Sequence, residues 1–241
     1  MPLDASRLLA AWEQGAAQPP AARALLLLEA AEPQFGCDGL EAMGVGERDA
    51  RLMALRERWI GPDVECLGAC PSCGERVELS FALAQLRIEH APRDAVFEVD
   101  VDGRAWRLRL PNSGDLLALD GERDAAAARR RLLERCVRGT PAPADAASVA
   151  AWPESVVSRV EQRMAELDPQ AEVLLDVQCP QCGHRSQAPF EIENYLWAEL
   201  DAWAHQLLHD VHRLASAYGW REPDILALSP QRRRAYLELI G

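Results

Sequence analysis

The chain has 241 residues, a formal net charge of -12 and 49% apolar residues. That is long enough to bury a substantial core and too apolar for a disordered chain. The acidic balance argues against a non-specific nucleic-acid binder, which needs a strong positive field. There is no lysine, which reads as codon bias. The start Met1-Pro2-Leu3-Asp4 lacks the basic region of a signal peptide. The longest aliphatic run, Leu25 to Leu28, is far too short to span a bilayer, so no membrane partner is expected.

In chain order, residues 5–14 and 20–31 read as helices, broken at Gln18-Pro19-Pro20. A third helix covers 46–59, with Leu52, Leu55 and Trp59 as its apolar stripe and Gly61-Pro62 ending it. Val77 to Phe81 alternates as a strand does. Phe97–Val101 and Trp106–Leu110 alternate likewise, with Asp102-Gly103 as the turn between them. A helix is expected near 114–120, an arginine-rich helix over 123–137, a linker over 138–150 and a helix from Pro153 to Leu167. Ala171–Gln178 reads as a strand. Residues 191–241 read as helical, with a seam of Leu196, Leu200, Trp203, Leu207, Val211, Leu214 and Tyr218. Gly219 suits a C-cap, and Glu222-Pro223 and Ser229-Pro230 open two short helices.

Two segments share one motif, C-P-x-C-G. They are Cys70-Pro71-Ser72-Cys73-Gly74 and Cys179-Pro180-Gln181-Cys182-Gly183, with 105 residues between Cys73 and Cys179. Two thiolates at this spacing grip a metal ion from one turn, and the glycine permits the backbone twist that follows. Two such turns close a tetrahedral zinc shell, which is structural rather than catalytic. Cys70, Cys73, Cys179 and Cys182 are therefore the expected ligands of one structural zinc. An odd total of seven cysteines fits a reducing cytoplasm better than a disulfide framework. Cys66 and His184 are alternative ligands, read more simply as neighbours. Cys37 and Cys136 are read as small apolar core residues.

The expected fold is α+β. It is a split four-cysteine zinc ribbon of two knuckle hairpins, with an inserted β-hairpin and helical segment, flanked by N- and C-terminal helices. The divisions are an N-terminal helical region (1–60), the first ribbon half (61–90), the insert (91–169), the second half (170–192) and a C-terminal helical arm (193–241). A long insertion costs little, because loop-closure entropy grows only logarithmically.

Other motifs carry less. Asp201, His205, His209 and His212 share one helical face. Gln206 stands where a zinc-protease helix needs its glutamate base, so the face reads as solvated. Arg129-Arg130-Arg131 and Arg232-Arg233-Arg234 could meet phosphate or an acidic protein, or simply decorate helix faces. Tyr195, Trp197 and Trp203 at the start of the long helix suit either core or interface. Nothing resembles a catalytic constellation.

The C-terminal stretch carries a resemblance. Leu207 to Trp220 is followed by Glu222-Pro223-Asp224-Ile225-Leu226-Ala227-Leu228-Ser229-Pro230, then Arg232-Arg233-Arg234-Ala235-Tyr236-Leu237-Glu238-Leu239-Ile240. This resembles the closing motif of baseplate hub assembly proteins of T-even-type contractile-tailed phages and of phage-derived contractile injection systems. The turn Arg109-Leu110-Pro111 and the entry Pro189-Phe190-Glu191-Ile192 fit the same pattern. The resemblance implies a non-enzymatic assembly factor or chaperone with hub, spike or wedge proteins as partners. It places the protein in the cytoplasm of a bacterial cell or infected host, with presence in the assembled particle left open. Tyr218, Trp220, Arg232, Arg233 and Tyr236 are the expected partner-binding residues. The rival reading is a nucleic-acid-binding zinc-ribbon accessory protein.

Overall fold

A computed structural model describes residues 4–88, 95–101, 103–139 and 149–241. The fold is α+β. Helix α1 (Ala5–Gly15) is capped by Asp4, whose carboxylate accepts from the Ser6 N–H at 2.9 Å. Helix α2 (Pro20–Ala31) begins on a proline, whose missing N–H is no loss there. A 3-10 turn and the short helix α3 (Gly36–Glu41), neither expected from the pattern, lead to α4 (Val45–Trp59).

Two antiparallel hairpins carry the knuckle motifs at their turns. The first pairs β1 (Asp63–Ala69) with β2 (Arg76–Ala82), Val64 facing Phe81 and Ala69 facing Arg76. Between the hairpins lies a sheet of β3 (Val96–Val101), β4 (Arg104–Arg109) and β5 (Val137–Gly139), in that order. Helices α5 (Ser113–Leu117), α6 (Ala125–Cys136) and α7 (Glu154–Leu167) belong to the same segment. The second hairpin pairs β6 (Leu174–Gln178) with β7 (Arg185–Pro189). Helix α8 (Ile192–Tyr218) ends at Gly219, whose φ of 68° is the left-handed conformation that a C-cap needs. Helices α9 (Glu222–Leu226) and α10 (Pro230–Leu239) complete the chain.

Strand β5 had no sequence signal, because three residues are too few to alternate. It lengthens the expected hairpin to three strands and occupies the start of the expected linker. Asp102 and residues 140–148 of that linker lie outside the described residues, as do 89–94 and Met1-Pro2-Leu3.

Apolar residues gather in separate clusters. The largest joins α1, α2, α4 and α8 through Leu8, Leu27, Leu52, Leu55, Leu196 and Leu200. The roots of both hairpins enter this body core through Val64, Leu83, Val173 and Phe190, and the Phe81 and Phe190 rings meet edge to face at 5.2 Å. The insert has its own core, with Trp106 against Trp152 and Cys136 fully buried. The expected α8 seam holds as far as Leu214: Leu207, Val211 and Leu214 pack with Ile225 under α9 and α10, but Tyr218, expected to continue it, is exposed beyond the last packed turn. The aromatic trio at the start of α8 proves intramolecular. Trp197 is buried over Gly15, where a Cβ would lie 2.3 Å from its ring. Trp203 meets Trp59 edge to face, and Tyr195 donates to the Glu65 carbonyl at 2.9 Å.

The insert is fastened to the body at two places beside the N-terminus of α4. After β4, the Ser113 N–H and hydroxyl both donate to the Met43 carbonyl, at 2.9 and 3.1 Å, and Asn112 bridges Gly44. At the insert's C-terminal end Asp168 accepts from the Gly46 N–H at 3.0 Å, so a carboxylate 122 residues away caps α4. Helix α4 has no capping side chain of its own. A Cβ at Gly46 would lie 2.0 Å from Asp168 Oδ1. Gly46→Ala is therefore expected to lower stability by about 1–3 kcal/mol, read as a lower denaturant midpoint with an unchanged slope.

Candidate metal centre

Each knuckle is built the same way. The Cys70 N–H donates to the Glu75 carbonyl at 2.8 Å, and the Gly74 N–H donates back to the Cys70 carbonyl at 2.9 Å. In the second knuckle Cys179 and His184 are joined at 2.9 Å, and Gly183 and Cys179 at 3.0 Å. Gly74 and Gly183 adopt φ of 75° and 71°, a left-handed turn that a side chain would strain. The repeated motif thus produces a repeated turn, and each turn points two sulfurs the same way.

The two hairpins bring their turns together. All four sulfurs lie within 4.8 Å of one another. Cys70 Sγ is 3.7 Å from Cys182 Sγ, and Cys73 Sγ is 3.6 Å from Cys179 Sγ. Zinc–sulfur bonds of about 2.3 Å put the edges of a tetrahedron at about 3.8 Å. The arrangement therefore fits one metal ion, and a four-thiol donor set suits zinc. Cys70 and Cys179 are buried with Val77 between Leu79 and Val177, whereas Cys73 and Cys182 face outward.

The electrostatics favour a cation. The Cys73 N–H, aided by that of Ser72, aims at the Cys70 sulfur and brings its pKa down to about 6. At Cys73 the Glu75 N–H favours the thiolate, but the crowding sulfurs of Cys182, Cys179 and Cys70 outweigh it and push that thiol up to about 12. Thiols this close titrate as one group and cannot all ionise alone. A divalent ion removes that conflict.

The neighbours stand aside. Cys66 lies opposite Leu79 in the first hairpin and outside the sulfur cluster, its thiol pushed up by burial. His184 is exposed and gives the knuckle only its backbone carbonyl. Cys37 corrects the sequence expectation. It is exposed on α3, with its thiol 3.7 Å from Glu29, and is not a core residue. Cys136 is core, and burial drives its thiol up to about 12.

The remaining candidate residues lie elsewhere. His205, His209 and His212 are exposed on α8, and His205 turns Nδ1 to the Asp201 carbonyl at 2.8 Å. Tyr218, Trp220 and Tyr236 fold onto one another. Tyr218 stacks on Trp220 at 4.6 Å, and Tyr236 stands edge-on to both. Arg232 is exposed, but Arg233, expected at a partner surface, is buried with Nε 3.8 Å from Asp210 Oδ2. Burial lowers its pKa, with Asp210 opposing. Arg129 is drawn into ion pairs with Glu161 and Glu154 of α7.

Sequence reasoning missed a set of buried charges beside the N-terminus of α4. Arg48 is 1% exposed and Asp49 is 7% exposed. Arg48 Nε donates to Asp49 Oδ1 at 2.7 Å, and its Nη2 lies 3.4 Å from Glu193 of α8. Glu47-Arg48-Asp49 reads as a solvated first turn, and no local spacing marks it otherwise. No described helix is long and apolar enough to cross a membrane. No family model, curated protein or solved structure matches the chain.

Proposed function

We propose that this protein is a non-enzymatic assembly factor for the baseplate hub of a contractile phage tail or contractile injection system, built on a split zinc ribbon with one structural zinc ion. The observation that carries the reading is the cluster of four thiols from two distant hairpins. Four thiolates complete a tetrahedral shell and leave no position for water or substrate, so the ion would tie segments together rather than do chemistry. The tie would fix the insert, bounded by the two hairpins, against the helical body that carries α8 to α10.

The class of system comes from the resemblance of residues 207–240, with Tyr218, Trp220, Tyr236 and Arg232 offering a mixed aromatic and cationic surface to a hub, spike or wedge protein. A protein partner fits the charges better than nucleic acid does. Arg129 is engaged with Glu161 and Glu154, Arg233 is buried against Asp210, and the whole chain carries -12.

The test is co-expression of the tagged, zinc-loaded chain with the hub, spike and wedge proteins of its own gene cluster. A hub or spike protein is expected to co-purify, and deleting the gene is expected to stop tail-tip assembly. Recovery of none of them by protein that retains its zinc would sink the reading. Salt-dependent retention on DNA or RNA would favour a nucleic-acid-binding zinc-ribbon accessory protein instead.

A further inference from the structure

The C-terminal arm and the helical body leave a cleft between them, with a volume of about 980 Å³. The start of α1, the end of α2 and the end of α4 line one side, and residues 226–230, between α9 and α10, line the other. Trp59 and Trp203, edge to face at 5.5 Å, supply much of its apolar wall. That volume is at the top of the range for small-ligand sites, about 300–1,000 Å³, and admits several residues of a peptide.

Three arginines and two acids line the cleft, and their partners show which have capacity to spare. Asp4 is committed to the Ser6 N–H, and Glu32 to Arg51 at 2.8 Å and Arg58 at 3.4 Å. Arg51 also reaches Glu47 at 2.9 Å and lies over the Phe35 ring at 4.3 Å, so it is well engaged. Arg58 has the long contact to Glu32, and 59% of its side chain is exposed.

Arg233 is the anomaly. It is 7% exposed, yet its side chain makes no hydrogen bond among the described residues, and its ion pair with Asp210 spans 3.8 Å at Nε. A guanidinium carries five N–H donors in a planar fork that matches a carboxylate. Taking one out of water without acceptors is costly, and burial lowers its pKa against the pull of Asp210. Asp210 itself has a second partner, Gln206 Nε2 at 2.9 Å. The acids of the cleft are thus spent while arginine donors are left over, in a site whose walls are otherwise largely apolar.

We propose that this cleft docks an acidic peptide segment of a protein partner, its carboxylates received by Arg233 inside and by the more exposed Arg58, and its apolar side chains laid on Trp59 and Trp203. That a protein partner exists rests on the proposed assembly role; the acidic and apolar character of its docking segment rests on the cleft. Arginine–carboxylate forks are strong and geometrically selective, and tryptophan and arginine dominate the energetics of interfaces. A nucleic acid fits less well, because Asp4 and Glu32 in the same walls oppose a run of phosphates.

Selection from a random dodecapeptide library on the zinc-loaded wild-type chain tests this. Enriched sequences are expected to carry aspartate or glutamate beside leucine, phenylalanine or tryptophan. As capped synthetic peptides they are expected to lose about tenfold to a hundredfold in affinity for Arg233→Met, the worth of a hydrogen bond to a charged group. Replacing the peptide's acids by their amides is expected to cost as much, and Arg58→Gln to cost several-fold. No enrichment, enriched peptides without an acid, equal affinity for the wild type and both variants, or preference for single-stranded DNA over the peptides would overturn the proposal. Arg58→Gln, at an exposed side chain, decides the matter even where Arg233→Met does not fold. The assembly role fails separately. A hub or spike protein that still co-purifies with both variants would keep that role and remove the cleft from it. Peptide binding that depends on Arg233, with no hub, spike or wedge protein recovered, would keep the cleft and sink the role.

Discussion

Cys179→Ser is expected to abolish tight zinc binding and to lower Tm by about 8–16 °C, the shift that a loss of about 4 kcal/mol produces in a chain of this size. The larger figure for zinc-finger peptides, about 10–16 kcal/mol, is an upper guide, because those peptides have no other core. Here the hairpin roots are held independently by Val64, Val173 and the Phe81–Phe190 pair in the body core. Only the distal strands, around Cys70, Val77 and Cys179, depend on the ion for burial. Metal loss should therefore free the knuckles first and leave α1, α2, α4 and α8 packed. Metal analysis is expected to give one zinc per wild-type chain and none for the variant. Limited proteolysis should then cut the variant within 63–82 and 174–190 before any other described segment. A variant that still binds one zinc, or a wild-type chain whose Tm is unchanged by chelation, would refute the clamp.

The knuckles were legible in the sequence because their chemistry is local. The glycine and the two cysteines specify one turn each, and repetition of the motif announces that the turns belong together. The rest was hidden for physical reasons of two kinds. Asp168 and Arg48 act on groups far away in sequence, on α4 and on α8, so their spacing carries no period to detect. Arg232 and Arg233 show the second kind. In a run of three arginines the composition is uniform, and only the phase of α10 decides that Arg233 turns inward while its neighbour faces solvent. Cys37 fails similarly: its residue type favours burial, but the unexpected α3 carries it outward.

The other large effect lies in the insert, at Asp115, and again a lone carboxylate carries it. Asp115 is fully buried. It accepts from both Nη atoms of Arg109, from Arg135 Nε at 2.9 Å and from the Asn112 N–H at 3.0 Å. One side chain thus joins the end of β4, the end of α6 and the start of α5, next to the Asn112–Ser113 seam that fastens the insert to the body. Asp115→Ala would leave two guanidinium groups facing an emptied, partly buried site and would remove half of the α5 capping box. Breaking a buried pair by removing one partner costs about 3–5 kcal/mol, so Tm is expected to fall by about 6–20 °C. The acid response separates this from simple cavity formation. Burial works against ionisation of Asp115, but Arg109, the Asn112 N–H and Arg135 overcome it and hold the carboxyl below the usual carboxylate range. Its stabilisation is therefore present above about pH 4, the unfolded value, and is lost as pH falls through the lower folded value. The wild-type chain should lose stability steeply below about pH 4. Asp115→Ala, starting lower, should lose less over the same range, and Asp115→Asn should resemble it in slope while keeping part of the hydrogen bonding. Parallel acid titrations of the wild type and both variants would show instead that the carboxylate charge is not what holds the seam.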